Sequence, residues 1–110
     1  MPTTTPFPAL HSVLAPDALA ALLAEHYDLA ADVRATFLQR GLNDTYRVEW
    51  GNERAILRVY CSGWRTLEQI GWELAFIEQG AQNGASVARP IPRRDGALIA
   101  ELCAPEGPRA

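Results

Sequence analysis

By residue type and context, Arg58 and Glu73 are the pair in this sequence best suited to act together. Arg58 interrupts AILRVY, Ala55 to Tyr60, a run of apolar, β-branched and aromatic residues that otherwise reads as a buried strand. A guanidinium keeps its charge, so a residue in that position must extend to water, pair with an acid or hold an anionic ligand. Glu73 lies between Trp72 and Leu74, with Phe76 and Ile77 close behind, at the border of the apolar stripe of the next helix. Each charge is costly if desolvated alone and tolerable if the two meet. The pattern predicts an Arg58–Glu73 ion pair between strand and helix. In the alternative, both long side chains reach into solvent and never touch.

The remaining polar residues form no second constellation. His26 sits beside Glu25 without a Ser, Cys or second His at triad or ligand spacing, and reads as a surface histidine. Cys61 and Cys103 are isolated, so the sequence indicates neither a zinc site nor a disulfide framework and suits a reducing, cytoplasmic setting. There is no Ser/His/Asp set, no paired carboxylates and no metal-binding spacing. All ten basic residues are arginines, so a task that usually falls to lysine must here fall to arginine. A net charge of −3, with the arginines scattered along the chain, argues against nucleic acid or an anionic membrane as partner. The opening MPTTTPFPALHSVLA has three prolines and lacks the basic and apolar regions of a secretory signal.

The elements that must carry Arg58 and Glu73 can be read from periodicity. At 110 residues, 48% hydrophobic and 21% charged, the chain is one modest globular domain or part of a larger one. Residues 1–15, punctuated by Pro2, Pro6 and Pro8, read as a flexible arm. Pro16, Asp17 and the spacing of Leu19, Leu22, Leu23 and Tyr27 predict a helix over 16–27. RATFLQR, TYRVEW and ERAILRVY alternate with period two, and Gly51-Asn52 supplies a tight turn between the last two. A three-strand antiparallel meander is expected. Thr66 and Gln69 form a capping box ahead of LEQIGWELAFIEQ, whose stripe is Leu67, Ile70, Leu74 and Ile77, with Gly80 and Gly84 able to close the helix. SVARPIP is extended and rich in proline, RRDG turns, and ALIAEL reads as a further strand. The fold expected is α+β: an antiparallel sheet of about five strands, packed on one face by the helix near 66–79, with the helix near 16–27 as an N-terminal appendage.

Several motifs in this order resemble the N-terminal lobe of the aminoglycoside phosphotransferase family, which has a protein-kinase-like fold. They are L-N-D-T-Y-R-V after the first strand, L-R-V-Y on the third, W-E-L in the helix and V-A-R-P-I-P before the D-G turn. The resemblance runs from about residue 14 to the end and implies that 16–110 is a kinase-like N-lobe, incomplete and without the C-terminal catalytic lobe. It implies that Arg58 stands where the family's nucleotide-binding lysine or arginine lies under the ATP phosphates, with Glu73 as the helix glutamate that orients it. It also implies that Gly41, Asn43 and Asp44 belong to the loop covering the phosphates. On turn chemistry alone, GLND reads equally well as a simple hairpin turn.

The resemblance implies ATP as cofactor, with Mg2+ in the complete enzyme, a nucleotide and a small-molecule acceptor as partners, and a C-lobe chain or self-association as further possibilities. The sequence departs from the family's full pattern, since it has no H-x-D-x-x-x-x-N motif or equivalent to supply metal ligands and an acceptor-positioning aspartate. The expectation is an N-lobe fragment of a small-molecule phosphotransferase that contributes the phosphate clamp and has no catalytic residue of its own. The alternative is a non-catalytic binding or regulatory module that keeps the N-lobe fold. A plain structural α+β domain ranks below both.

Overall fold

A computed structural model of the chain describes residues 10, 12–29, 32–61, 63, 65–86 and 88–110. The prolines of the expected N-terminal arm lie outside the described residues. The element order is α1 (Pro16–His26), β1 (Val33–Arg40), β2 (Asn43–Trp50), β3 (Glu53–Tyr60), α2 (Leu67–Gln82), β4 (Leu102–Ala104) and β5 (Gly107–Arg109).

β1, β2 and β3 form the expected antiparallel meander in sequence order. Gly51 turns the chain between β2 and β3 at φ 56°, while Asn52 keeps a negative φ, the pattern of a type II′ hairpin turn that matches strand twist. The pairing of Tyr46 with Leu57 and of Asp44 with Val59 puts those four on one face of the sheet. Thr45 with Arg58, and Asn43 with Tyr60, lie on the other. A bulge at Leu38 shifts the register of β1, so Arg40 comes opposite Asp44.

The core lies on the Tyr46 face. Leu19 of α1, Tyr46 and Val59 are buried together, with Leu14, Phe37, Leu57 and Leu102 packed around them. The Phe37 and Tyr46 rings meet edge to face with centroids 5.5 Å apart. The Tyr46 hydroxyl is satisfied inside this core, donating to the Leu14 carbonyl at 2.7 Å.

The two helices exchange the roles expected of them. α1 is no appendage: it packs on β1 and buries Leu19, Ala20 and Leu23. α2 begins at the expected capping box, with the Thr66 hydroxyl accepting from the Gln69 N–H and the Gln69 side chain accepting from the Thr66 N–H. Yet α2 buries only Ile70 and has sparse contact with the strands. Trp72 and Phe76 face solvent, and Leu74 and Ile77 line a groove rather than the sheet.

The five-stranded sheet is also corrected. The described residues form a three-stranded sheet and a separate two-stranded one, β4 with β5. ALIAEL enters a strand only at Leu102. Pro90 and Pro92 have no N–H to offer a ladder, and the turn after them is held elsewhere. Arg93 N–H donates to the Ala97 carbonyl and Asp95 Oδ1 accepts from the Ala97 N–H, closing the turn on itself. Arg94 donates from its backbone to the His26 carbonyl and from its guanidinium to the Ala24 and Tyr27 carbonyls. These are carbonyls at the C-terminal end of α1, where a cation is favoured. Fastened there, the segment cannot lie along β3.

Candidate functional site

β3 delivers Arg58 to the face of the sheet opposite the core, and α2 brings Glu73 to it. Arg58 Nη1 stands 3.7 Å from Glu73 Oε1, with the arginine side chain 54% and the glutamate side chain 32% exposed. The expected pair therefore forms, as a solvated contact rather than a buried bridge. Its second support is Tyr60, two residues along the same face of β3, whose hydroxyl donates to Glu73 Oε2 at 3.3 Å. Burial raises the Tyr60 phenol above its ordinary value, the Glu73 carboxylate raises it further, and Arg58 opposes both. The phenol stays protonated and remains a donor.

The expected phosphate-loop residues divide between the two faces. Gly41 lies in the bend before β2 and its N–H donates to the Asn43 carbonyl at 2.9 Å. Asn43 and Asp44 belong to β2 rather than to a loop. Asn43 pairs with Tyr60 and so shares a face with Arg58. Asp44 turns the other way and is fully buried.

Asp44 is the centre of a polar cluster that the sequence reading did not find. Arg40 Nε donates to Asp44 Oδ1 at 2.8 Å and its Nη2 to Oδ2 at 2.9 Å. Arg109 Nη2 donates to Asp44 Oδ2, also at 2.9 Å, with both side chains fully excluded from water. The remaining Arg109 donors reach the carbonyls of Tyr60, Val59 and Ser12. Glu106, beside Arg109, accepts from the Ser12 N–H and hydroxyl at 2.7 and 2.6 Å. Ser12, in the segment read as a flexible arm, is thereby tied to the β4–β5 turn. The Arg40 hydrogen bond holds the Asp44 carboxyl below its usual range despite burial, and Arg109 adds to the effect. Burial pushes Glu106 up, but the Ser12 bonds and Arg109 outweigh it and the carboxyl is held low. Every nitrogen of the buried Arg109 guanidinium and both oxygens of Asp44 have a hydrogen-bond partner within the protein, and the two side chains make a structural joint.

A groove of about 780 Å³ runs between α1, the β3 edge, α2 and the segment 88–102. Its walls are mostly aliphatic, with Tyr27, Trp50 and Tyr60 among them, and Arg54, Arg58, Glu73 and Arg89 also line it. Arg89 is held by Glu78 of α2 in a bidentate pair. Among the described residues, no group of three or more His, Cys, Asp or Glu side chains could hold a metal ion. No described helix is long and apolar enough to cross a membrane.

The fold that carries these residues is similar to part of a kinase. The chain is similar in structure to a protein described as the microcompartment-associated aminopropanol kinase, with a TM-score of 0.66 and 27% sequence identity, over 84% of this chain and 29% of that one. Among curated proteins it is 59% identical over 104 residues to an uncharacterized protein of Deinococcus radiodurans, covering 94% of this chain and 30% of the relative. It is 41% identical over 103 residues to an uncharacterized protein of Synechocystis, covering 94% of this chain and 28% of the relative. The chain thus spans less than a third of the length of these relatives. No family model matches it.

Proposed function

We propose that this chain is the N-lobe part of an ATP-dependent small-molecule phosphotransferase of the aminoglycoside phosphotransferase and homoserine kinase kind, and that it contributes the clamp on the ATP phosphates. The observation that carries the reading is the meeting of Arg58 and Glu73 at 3.7 Å, between β3 and α2 of a kinase-like fold. In phosphoryl transfer the protein works chiefly by positioning and by neutralising charge, and a strand cation held by a helix glutamate is one recurring part of that apparatus. The residues present fit a polyphosphate: Arg58 keeps half its surface open, its fork can engage two oxygens at once, and Arg54 lines the same groove.

Asn43, at the start of β2, is on the side of Arg58, and the bend at Gly41 leads into it; in this reading they lie against the phosphates. Asp44 supports that bend from the opposite face through Arg40 and Arg109. Magnesium, when bound in the complete enzyme, would neutralise the charge developing on the transferred group. Its ligands and the aspartate that positions the acceptor belong, in this reading, to the portion of the longer relatives that the chain does not span. The acceptor class proposed is a small amino alcohol, on the strength of the similar kinase.

The test is a chimera in which this chain replaces the matched segment of the Deinococcus relative, assayed for ATP consumption with amino alcohols, homoserine, choline and an aminoglycoside. Phosphoryl transfer to at least one acceptor is expected, and no ATP-dependent transfer to any of them would refute the assignment. A second reading, a non-catalytic binding module, draws on Trp72 and Phe76, which are 65% and 77% exposed one turn apart on α2. It predicts a chimera without transferase activity and a chain that associates through α2.

A further inference from the structure

Glu73 has two partners, and the second has a fixed place in the fold. We propose that Tyr60 is a positioning residue for the Arg58–Glu73 pair: its hydroxyl holds Glu73 Oε2, leaving Oε1 directed at Arg58. A partly exposed glutamate side chain on a helix ordinarily samples several rotamers, and a single contact at 3.7 Å to a half-exposed arginine restrains it little. A phenol on a rigid ring with only two side-chain torsions restrains it more, provided the phenol itself is held.

Tyr60 is buried and its backbone is bonded at both N–H and carbonyl. The residue is 9% exposed. Its N–H donates to the Ala110 carbonyl at 2.7 Å and its carbonyl accepts from Arg109 Nε at 3.0 Å. Arg109 is in turn fixed by Asp44 at the start of β2. The contacts run from Asp44 through Arg109 and Tyr60 to Glu73 and Arg58, and join the C-terminal hairpin to the candidate clamp. This gives the buried cluster a task beyond stability: it sets the position of the strand end from which the phenol reaches α2.

The functional meaning of this inference rests on the phosphate-clamp reading, but its geometric core does not, and the experiment separates them. In the full 110-residue chain, the Nε–Hε resonance of Arg58 is followed by NMR and assigned by its loss in Arg58→Lys. Glu73→Gln is expected to shift it, Tyr60→Phe to shift it in the same direction, and the double variant to add nothing beyond Glu73→Gln. The amide resonances around Tyr46 should stay in place in all of them. An Arg58 resonance unmoved by Tyr60→Phe, or unmoved by Glu73→Gln, would overturn the proposal. In the chimera, Tyr60→Phe should raise KM for ATP by about five- to tenfold, the scale of one lost hydrogen bond, with a smaller change in kcat. An unchanged KM in an active chimera would also overturn it. Should the chimera be inactive, the clamp reading fails alone and the resonance shifts decide the positioning role.

Discussion

Arg58 and Arg109 are both arginines facing a carboxylate, yet different physics governs them. Arg58 leaves 54% of its side chain in water, so its attraction to Glu73 is screened and offset by the freedom both side chains lose. Arg109 and Asp44 have none, and removing either would leave the other charged and unpaired in the interior. Asp44→Ala is expected to cost about 3–5 kcal/mol of stability, and Arg58→Ala less than about 1 kcal/mol, as read from urea unfolding of each chain. Equal effects would mean that the two sites do not differ as described. This contrast also explains what could be read from the sequence. Arg58 declared itself by breaking an apolar run, and Glu73 by bordering a helical stripe. Asp44 and Arg109 sit among Gly, Asn and Pro, where polar residues are ordinary turn formers. Their contact spans 65 positions, and no local pattern records a pairing of that range.

Elements whose boundaries depend on neighbouring residues were legible, and those that depend on distant packing were not. The capping box at Thr66 and the Gly51 turn are local, and both stand where expected. Thr66→Ala should cost about 1 kcal/mol, seen as faster amide exchange through the first turn of α2. Gly51→Ala should cost about 1–2 kcal/mol because a side chain disfavours the left-handed region, whereas Gly41→Ala should be nearly neutral. At Gly41 φ is not positive and an added Cβ would come no nearer than 3.9 Å to the Asn43 carbonyl. Unfolding midpoints of the two alanine variants, compared side by side, would check this; a larger loss at Gly41 would contradict it. The exchange of roles between the helices had no such local signature. Both carry aliphatic residues at helical spacing, leucines in α1 and leucine with isoleucine in α2, and the contacts that fasten the end of α1, such as those from Arg94, come from residues far along the chain. The missing strand has the same origin, since ALIAEL has strand-forming residues but follows a turn fastened to α1.

At the scale of the molecule, Asp44 and Glu106 join the N-terminal segment, the meander and the C-terminal hairpin, and both carboxyls are held below their ordinary values of 3.8 and 4.5. Because the folded values are the lower ones, these groups stabilise the chain fully above about pH 5 and lose that contribution as the pH falls through the folded values. The urea midpoint should be flat from about pH 5 to 7 and decline in more acid solution. A shallower decline is expected in Asp44→Asn, and the same slope in that variant would contradict the assignment of the joint. The joint also holds the strand end that carries Tyr60, so the acid-sensitive cluster and the candidate clamp belong to one framework. The clamp is the central claim, and the most direct measurement is kcat/KM for ATP in the chimera with the Deinococcus relative, compared between the parent, Arg58→Lys and Arg58→Ala. A loss of about a hundredfold or more is predicted for Arg58→Ala, partial retention for Arg58→Lys, and only a small shift of the unfolding midpoint in both. An Arg58→Ala chimera as efficient with ATP as its parent would contradict the account.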